Sequence, residues 1–300
     1  AGRQTMSDGR GGGATPGALH IVSTPIGNLA DLSPRAVAVL REVRLILAED
    51  SRVARVLLSS IEVNTETTSL PGFDESDRIA PIIARLLAGE AVALISDAGT
   101  PLVSDPGAQL VRAAIAAGVR IVPIPGASAL LAAVVASGVA GARWNFEGFL
   151  PRSGSDRRRA IGALAADLRA SVIYEAGNRV AETLQDLVEA AGPDRPAALC
   201  RELTKMHEEI RRGSLADLVA LVESGAVDGR GEFVIVLGES IADVIESDVD
   251  GAYLAALAAV EQRIAEGSSR SDAVRAIAAA WSLDRRRLWS LAHRDAAEGE

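Results

Sequence analysis

The stretch ISDAGTPLVSDPG, residues 95–107, decides the fold of this chain. An apolar run at 91–95 leads into it and an amphipathic run at 108–117 leads out, which predicts a strand, a polar loop and a helix. Gly99 and Gly107 permit positive φ and close backbone approach, and Asp97 offers acceptors to hydroxyl or amino groups. Because such connections usually have about two to six residues, this long polar loop predicts a ligand site above a parallel sheet.

Composition limits the function classes that the chain can belong to. Its 300 residues are 48% hydrophobic, enough for about two domains, without an apolar run that would span a bilayer or act as a secretory signal. One cysteine, Cys200, excludes a disulfide framework and predicts a cytoplasmic protein. The three histidines stand at no ligand spacing, so we expect no metal site. The net charge of −9 argues against nucleic acid globally, but arginine triplets at 157–159 and 285–287 are local basic clusters.

Strands and helices alternate up to about residue 240, which predicts a mostly parallel α/β architecture. Residues 1–17 are Gly-rich and polar and are expected to be disordered, with Met6 a candidate start residue. Residues 18–142 form the first α/β domain and 143–240 the second, the aromatic segment 143–151 acting as a linker. From 241 to 300 the pattern is helical, and two tightly joined helices fit either a helix-turn-helix or a plain hairpin that closes the core. The arginines at 285–287 favour phosphate contact.

Eight motifs follow one another in a specific order. They are STPIGNLADLSPRA (23–36), AEDSR (48–52), SDAGTPLVSDPG (96–107), PIPGASA (123–129), FEGFLPR (146–152), YEAGNR (174–179), RELTK (201–205) and RGE (230–232). Together they resemble the tetrapyrrole (corrin/porphyrin) methylase superfamily, most closely its branch that 2′-O-methylates ribose in small-subunit ribosomal RNA. The helices at 241–300 resemble the helix-turn-helix appendage of that branch.

The resemblance implies a two-domain α/β fold of the tetrapyrrole-methylase type with a small all-α appendage. It implies S-adenosylmethionine in the cleft between the domains, a homodimer, and as acceptor the ribose of a cytidine in the decoding centre of 16S rRNA. An acidic protein with local basic patches favours the assembled small ribosomal subunit as the substrate, and no membrane partner is expected.

By motif match, the resemblance assigns the cofactor to the loops at the cleft. The residues are Pro25, Gly27, Asp97, Ala98, Gly99, Thr100, Ser104, Gly126, Ala127, Ser128 and Thr204. Pro25 and Gly27 also fit a purely structural turn, and Ser128 fits an N-cap of the following helix, which is compatible with ligand contact.

Methyl transfer to a ribose hydroxyl requires a place for the proton. Glu49, Asp50, Glu202 and Lys205 are the candidates, with Lys205 and Glu202 as the catalytic pair. We interpret Glu49 and Asp50 foremost as ion-pair partners of Arg52 or Arg201. Lys205, the single lysine of the chain, is expected first of all to contact an RNA phosphate or ribose. It would accept the proton only if burial lowered its pKa.

The predicted RNA contacts are arginines. They are Arg52, Arg152, Arg157, Arg158, Arg159 and Arg179. A solvated helix face is the alternative interpretation of the triplet at 157–159.

The sequence departs from the superfamily pattern at two places where histidine is usual: Asn178 precedes Arg179, and residues 71–75 read PGFDE. Those histidines therefore cannot be obligatory for the chemistry. Two further functions stay open: a methylase of the same fold that acts on a tetrapyrrole or another small acceptor, and a non-catalytic, cofactor-sensing RNA-binding protein. Few aromatics, local arginine runs and the helical appendage favour RNA.

Overall fold

The computed structural model describes residues 13–70, 75–281 and 283–297, without the side chains of 75–77, 241–252 and 294–297. It comprises two compact units, Ala1–Gly238 and Glu239–Glu300. The first twelve residues of the predicted disordered tail, and Ser282 of the predicted turn between the last helices, lie outside the described residues.

The first sheet contains five parallel strands in the order β3-β2-β4-β1-β5. The strands are β1 (Ala18–Val22), β2 (Leu45–Ala48), β3 (Thr67–Ser69), β4 (Val92–Ile95) and β5 (Arg120–Ile124). The helices between them are α1 (Pro34–Glu42), α2 (Ser51–Ser60), α3 (Glu75–Leu87) and α4 (Ala108–Ala116). Every residue of β1, β2 and β4 is buried, as expected for strands covered by helices on both faces. The predicted strand, loop and helix around residues 95–107 are confirmed.

Helix caps follow the local sequence. The Ser33 hydroxyl accepts the Ala36 N–H at 3.1 Å, with Pro34 in the first turn of α1, as the sequence predicts. Asp50 caps α2 by accepting the Arg52 N–H at 2.8 Å. These caps start α1 and α2 directly after the loops that follow β1 and β2, so the loops stay at the carboxyl edge of the sheet.

The second sheet has the order β6-β7-β10-β8-β9. Its strands are β6 (Trp144–Phe149), β7 (Ala170–Ala176), β8 (Pro196–Arg201), β9 (Glu209–Ser214) and β10 (Glu232–Leu237). The associated helices are α5 (Ala129–Ser137), α6 (Gly154–Ala166), α7 (Val180–Ala191) and α8 (Leu215–Glu223).

The mostly parallel arrangement expected from the sequence is wrong for this second sheet. Only β6 and β7 pair in parallel, whereas β10 is antiparallel to β7 and β8, and β9 is antiparallel to β8. The connection 202–208 is too short for a parallel crossover, so β9 must turn back beside β8. The segment predicted as a linker at 143–151 is strand β6, because its aromatic rings pack on β7.

Residues 13–17, predicted to be part of the disordered tail, attach to the first sheet. The Thr15 N–H donates to His20 Nε2 at 3.0 Å and the Gly17 N–H donates to the Gly89 carbonyl at 2.9 Å. Burial lowers the pKa of His20, which keeps the imidazole neutral and able to accept. Backbone hydrogen bonds hold this segment and Ala14 packs against the core, so its Gly-rich composition did not prevent order.

The C-terminal unit consists of α9 (Ile241–Ala265), α10 (Arg270–Ala280) and α11 (Arg285–Ala297). Its own core includes Tyr253, Val260, Ile277 and Leu288. Arg287 lies with its guanidinium 4.7 Å from the centre of the Tyr253 ring. Across both units, the helices in the described part of the chain include none with the length and apolarity needed to cross a bilayer.

Candidate active site

A cavity of about 400 Å³ lies at the carboxyl ends of the first sheet's strands. Residues from the loops after β2, β4 and β5 form one side, and residues of β7, β8 and β10 form the other. The crossovers of a parallel sheet place loops at this edge, and the second sheet turns the edge into a cleft.

Hydroxyl groups join the three loops of the first sheet. The Ser23 and Thr100 hydroxyls lie 2.9 Å apart, and Thr100 donates to the Ala127 carbonyl at 3.1 Å. The backbones of Thr24 and Gly99 exchange hydrogen bonds of 2.8 and 3.2 Å. Serine and threonine at these positions therefore hold the loops after β1, β4 and β5 as one rigid wall.

The loop after β4 stores backbone strain. Leu102 and Ser104 have φ of 75° and 70°, and Gly107 has φ of 115°. Non-glycine residues in the left-handed region are uncommon and concentrate at functional sites. A Cβ on Gly107 would also come within 2.5 Å of Leu94 Cδ2, so glycine is required where the loop enters α4.

The connection between β8 and β9 brings the RELTK motif against the loop after β1. Glu202 and Thr204 have φ of 50° and 66°. A Cβ on Gly27 would overlap Lys205 Cγ and would lie 2.9 Å from Thr204 Oγ1 and 3.2 Å from the Leu203 carbonyl oxygen. The Thr204 hydroxyl oxygen is buried and has no hydrogen-bond partner among the described residues. A buried hydroxyl without a partner is rare in a folded protein, and it marks this wall as a place for a polar ligand.

Lys205 lies between two carboxylates. Its ammonium nitrogen is 2.9 Å from Glu202 Oε1 and 2.9 Å from Glu232 Oε2. Burial opposes the charge, but these two hydrogen bonds outweigh burial and raise the pKa of Lys205. Burial likewise opposes the charge on Glu202, yet bonds from the Glu232 N–H and Lys205 lower the pKa of that carboxyl. These contacts favour the charged forms of both predicted catalytic residues, so the lowered pKa that a proton-accepting lysine requires is not found at Lys205.

Three other carboxylates converge on the cavity from the first sheet. They are Glu49, Asp97 and Asp105. Burial, followed by the charge of Asp97, raises the pKa of Glu49, and burial also raises the pKa of Asp97. Burial raises the pKa of Asp105 to about 6, with further contributions from the charges of Glu49 and Asp97. The cleft therefore carries concentrated negative charge, which suits hydroxyl groups, protons and cations.

The two candidates at 49 and 50 have different partners. Asp50 pairs with Arg52 at 2.6 Å, and this hydrogen bond lowers the pKa of Asp50 to about 2; the predicted ion pair is confirmed. For Glu49 that interpretation is wrong, because its charged neighbours are Asp97 and Asp50. Arg201 instead lies 3.6 Å from Asp228 and 4.0 Å from Glu209.

The predicted cofactor residues form three groups at or near the cleft. Lining the cavity are Asp97, Ala98, Gly99, Thr100, Ser104 and Ser128. Behind this lining lie Gly126, packed against Ser23, and Ala127, whose carbonyl accepts from Thr100. Gly27 and Thr204 belong to the contact between the loop after β1 and the RELTK segment, and Pro25 lies in the same loop after β1 without lining the cavity. Ser128 also caps α5 by accepting the Leu131 N–H at 3.5 Å.

The predicted RNA-binding arginines separate into exposed and buried groups. Arg52, Arg152, Arg158 and Arg159 are exposed, with Arg159 paired to Asp156 at 3.0 Å. For Arg157 the RNA-contact prediction is wrong. Its exposure is 4%, because α6 directs it into the second domain rather than towards solvent.

Arg157 and Arg179 stabilise the segment that follows β6. Arg157 pairs with Asp186 at 2.6 Å and donates to the Thr183 hydroxyl at 2.9 Å, which in turn donates to the buried Glu175 at 2.7 Å. Arg157 also donates to the Pro151 carbonyl, and Arg179 donates to the carbonyls of residues 150 and 151. Arg179 is partly buried and also pairs with Glu175 at 3.4 Å, so these contacts favour a structural role, and its contact with RNA stays a prediction.

Comparison with known proteins places this geometry in a family. Residues 18–219 match the family described as Tetrapyrrole (Corrin/Porphyrin) Methylases. The chain belongs to the tetrapyrrole methylase family. A Synechocystis protein named Ribosomal RNA small subunit methyltransferase I is 39% identical over 94% of this chain and 100% of its own length. A Xylella fastidiosa protein of the same name is 49% identical over 75% of this chain and 82% of its own.

A solved tetrapyrrole methylase has the same architecture. Uroporphyrin-III C-methyltransferase from Thermus thermophilus, complexed with S-adenosylhomocysteine, superimposes with a TM-score of 0.53 at 20% identity, covering 75% of this chain and 99% of that one. At this identity the likeness concerns the fold. The predicted tetrapyrrole-methylase-like α/β fold is confirmed.

The tetrapyrrole-methylase cleft contains residues that were not selected from the sequence. Asp105, Phe149, Tyr174, Glu175 and Glu232 all line the cavity. All five occur inside the motifs quoted from the sequence, so the sequence signal for them was present. Their selection required knowing which residues of each motif face the cleft, and strand pairing together with loop conformation determines that.

Proposed function

We propose that this chain transfers a methyl group from S-adenosylmethionine to the ribose 2′-hydroxyl of a cytidine in the decoding centre of 16S rRNA. We further propose that it acts as a homodimer on the assembled small ribosomal subunit in the cytoplasm. The observation that carries the proposal is the full-length relationship to a protein named Ribosomal RNA small subunit methyltransferase I.

The cleft suits S-adenosylmethionine chemically. The loop after β4 lines the cavity with Asp97, Gly99 and Thr100, and the buried Thr204 hydroxyl has no hydrogen-bond partner among the residues that the structure describes. Asp97 offers acceptors to ribose hydroxyl or amino groups, and the negative charge of the cleft favours a cationic sulfonium. When bound, the cofactor supplies a methyl group that the acceptor oxygen takes, while the carbon–sulfur electron pair stays on sulfur and one proton leaves the acceptor.

The residues of the chain then have two tasks in this reaction. The rigid wall formed by the Ser23, Thr100 and Ala127 contacts fixes the position of the methyl donor, and alignment of the two reactants contributes much of the rate. The cleft walls limit water around the reacting groups, which strengthens the interactions that hold them.

Two features at the cleft favour RNA over a small acceptor. Phe149 lines the cavity yet is 58% exposed, so its ring is available to stack a nucleobase that has left its helix. The exposed Arg152 follows three residues later, and Arg158 and Arg159 stand at the start of α6. Phosphate contacts of this kind position an RNA without reading its bases.

The test uses small ribosomal subunits from cells that lack this methylation. They are incubated with the purified protein and radiolabelled S-adenosylmethionine, in parallel with protein-free 16S rRNA and a porphyrinogen. We expect label in 16S rRNA of the assembled subunit, located by mass spectrometry at a cytidine ribose, and sedimentation of the protein as a dimer. Label confined to the porphyrinogen would support the tetrapyrrole alternative, and RNA binding without transfer to any acceptor would support a non-catalytic binding protein.

A further inference from the structure

Asp105 belongs to the motif at 96–107, and the sequence predicted no role for it. It lies in the strained segment between Ser104 and Gly107, its carboxylate lines the cavity, and it is half-buried. Ser96 is buried at the end of β4, and its hydroxyl donates to the carbonyls of Ala98 and Gly99, at 3.3 Å each. The backbone therefore holds one acidic side chain against the space where a ligand would lie.

The other acids of the cleft are engaged elsewhere. Glu202 accepts from Lys205 and from the Glu232 N–H, and Glu175 accepts from the Thr183 hydroxyl and the Ala176 N–H. Asp97 accepts the Asp50 N–H at 3.1 Å, and Glu49 is hydrogen-bonded to the backbone of Asp97. Each of these bonds favours the charged form of its carboxylate, and at Glu49 and Asp97 it partly offsets the effect of burial.

Asp105 has different surroundings. The groups that face it are the Ser96 hydroxyl on its own loop, the carboxylates of Glu49 and Asp97, and Tyr174 across the cleft on β7. Burial raises the pKa of Tyr174, so its hydroxyl is neutral, and it accepts the Leu130 N–H at 3.1 Å. Burial and two like charges raise the pKa of Asp105 to about 6, near the value at which a general base is most effective at neutral pH.

We infer that Asp105 is the proton acceptor of the methyl transfer, an assignment that rests on the proposed function. The acceptor hydroxyl loses its proton to the Asp105 carboxylate while its oxygen forms the new bond to the methyl carbon. Sulfur keeps the electron pair of the broken bond and becomes neutral, and Asp105 later releases the proton to water. A carboxylate that burial and repulsion have made more basic is suited to this task, whereas Glu202 and Lys205 are not.

The experiment compares Asp105→Asn with Asp97→Asn and with the exposed Asp194→Asn. Single-turnover methylation of small subunits is measured between pH 5 and 9, and S-adenosylhomocysteine binding is measured by calorimetry. We expect Asp105→Asn to bind S-adenosylhomocysteine within about two-fold of the wild type and to lose about 10²- to 10⁴-fold in rate. Asp97→Asn should instead weaken ligand binding, and Asp194→Asn should match the wild type.

A second measurement does not depend on activity. Carbon-13 NMR of the aspartate carboxyls in the free protein should show a resonance that titrates near pH 6 and is missing from Asp105→Asn. The wild-type rate should rise with pH up to the same value. A variant that retains more than a tenth of the rate, or that loses ligand binding and rate together, would refute the role of Asp105. If the wild type leaves 16S rRNA unlabelled, the proposed function fails first and this assignment falls with it.

Discussion

At the residue scale, the ionised carboxyl of Asp105 lowers the stability of the folded protein. Its carboxyl has a folded-state pKa of about 6 against an ordinary value of 3.8. A raised acid pKa means that folding disfavours the ionised form. The destabilisation is absent below pH 3.8, grows as the pH rises towards 6, and is complete above that.

We therefore predict that Asp105→Asn is more stable than the wild type at pH 8, by about 1–2 kcal/mol once solvent screening of this half-buried group is allowed for. The reason is that asparagine carries no charge to desolvate. Urea denaturation at pH 4 and pH 8 measures the difference, which should nearly vanish at pH 4. Equal stability at both values would mean that the Asp105 carboxyl is not perturbed.

Two neighbouring arginines of α6 provide a second test at the residue scale. Arg157→Ala should lower the free energy of unfolding by about 3 kcal/mol, because removal of one partner leaves a buried polar network incomplete. Arg158→Ala should change it by less than about 0.5 kcal/mol, as for most exposed positions. Denaturation curves of both variants measure the free energy of unfolding. A similar decrease for the two variants would contradict the buried network around Arg157.

For RNA affinity we expect the opposite order, with a larger effect of Arg158→Ala than of Arg157→Ala. Arg158→Ala should weaken binding to the small subunit and reduce the slope of log affinity against log salt by about one, because it removes one phosphate contact. Filter binding at several salt concentrations measures this slope. An unchanged slope would identify the exposed face of α6 as merely solvated.

At the scale of elements, the site depends on loops that touch one another. The loop after β1 meets the RELTK segment at Gly27, where the backbone carbonyl of Leu203 and the Thr204 hydroxyl come close. A first-sheet loop and a second-sheet turn thus form one wall of the cleft. A change in either loop is expected to move the other.

Gly27→Ala should accordingly weaken S-adenosylhomocysteine binding by about ten-fold or more, since the new Cβ must displace the Lys205 side chain first and the Thr204 hydroxyl next to it. Gly162→Ala is the matched control, because a Cβ there meets no atom within 4 Å. Within helix α6 that change should add about 0.5–1 kcal/mol of stability. Calorimetry and denaturation measure both effects, and normal ligand binding by Gly27→Ala would separate the RELTK segment from the cofactor site.

At the scale of the whole molecule, the chain consists of two units with separate hydrophobic cores. The first unit contains the cleft and both sheets, and the second contains three helices packed around Tyr253 and Leu288. A unit with its own core is expected to fold without its neighbour. The cleft and the helical unit are therefore separable by deletion.

We predict that a chain ending at Gly238 folds and binds S-adenosylhomocysteine within about three-fold of the full-length protein, but binds the small subunit more weakly. The loss would follow from removal of the exposed Arg285 and Arg286 and their phosphate contacts. Circular dichroism tests folding, calorimetry tests S-adenosylhomocysteine binding, and filter binding tests affinity for the small subunit. Undiminished RNA affinity would favour the alternative of a plain helical hairpin.

The sequence by itself determined a large part of this protein. Apolar runs followed by Gly-rich polar loops predicted the parallel first sheet and the site at its carboxyl edge, because strand periodicity and turn chemistry are local properties. The ordered motifs predicted the family and located most of the cleft. Helix N-caps such as Ser33 could also be predicted, since they depend only on neighbouring residues.

Only the tertiary structure decided which residues are buried, which are paired and which face the cleft. The Arg157–Asp186 pair, the Lys205–Glu232 pair and the charge of Glu49 near Asp105 each join residues that are far apart in sequence. The direction of β10 depends on its pairing with β7 and β8, also across a long stretch of chain. A pKa, an ion pair and a strand register are properties of neighbours in space, and a single sequence lists neighbours only along the chain.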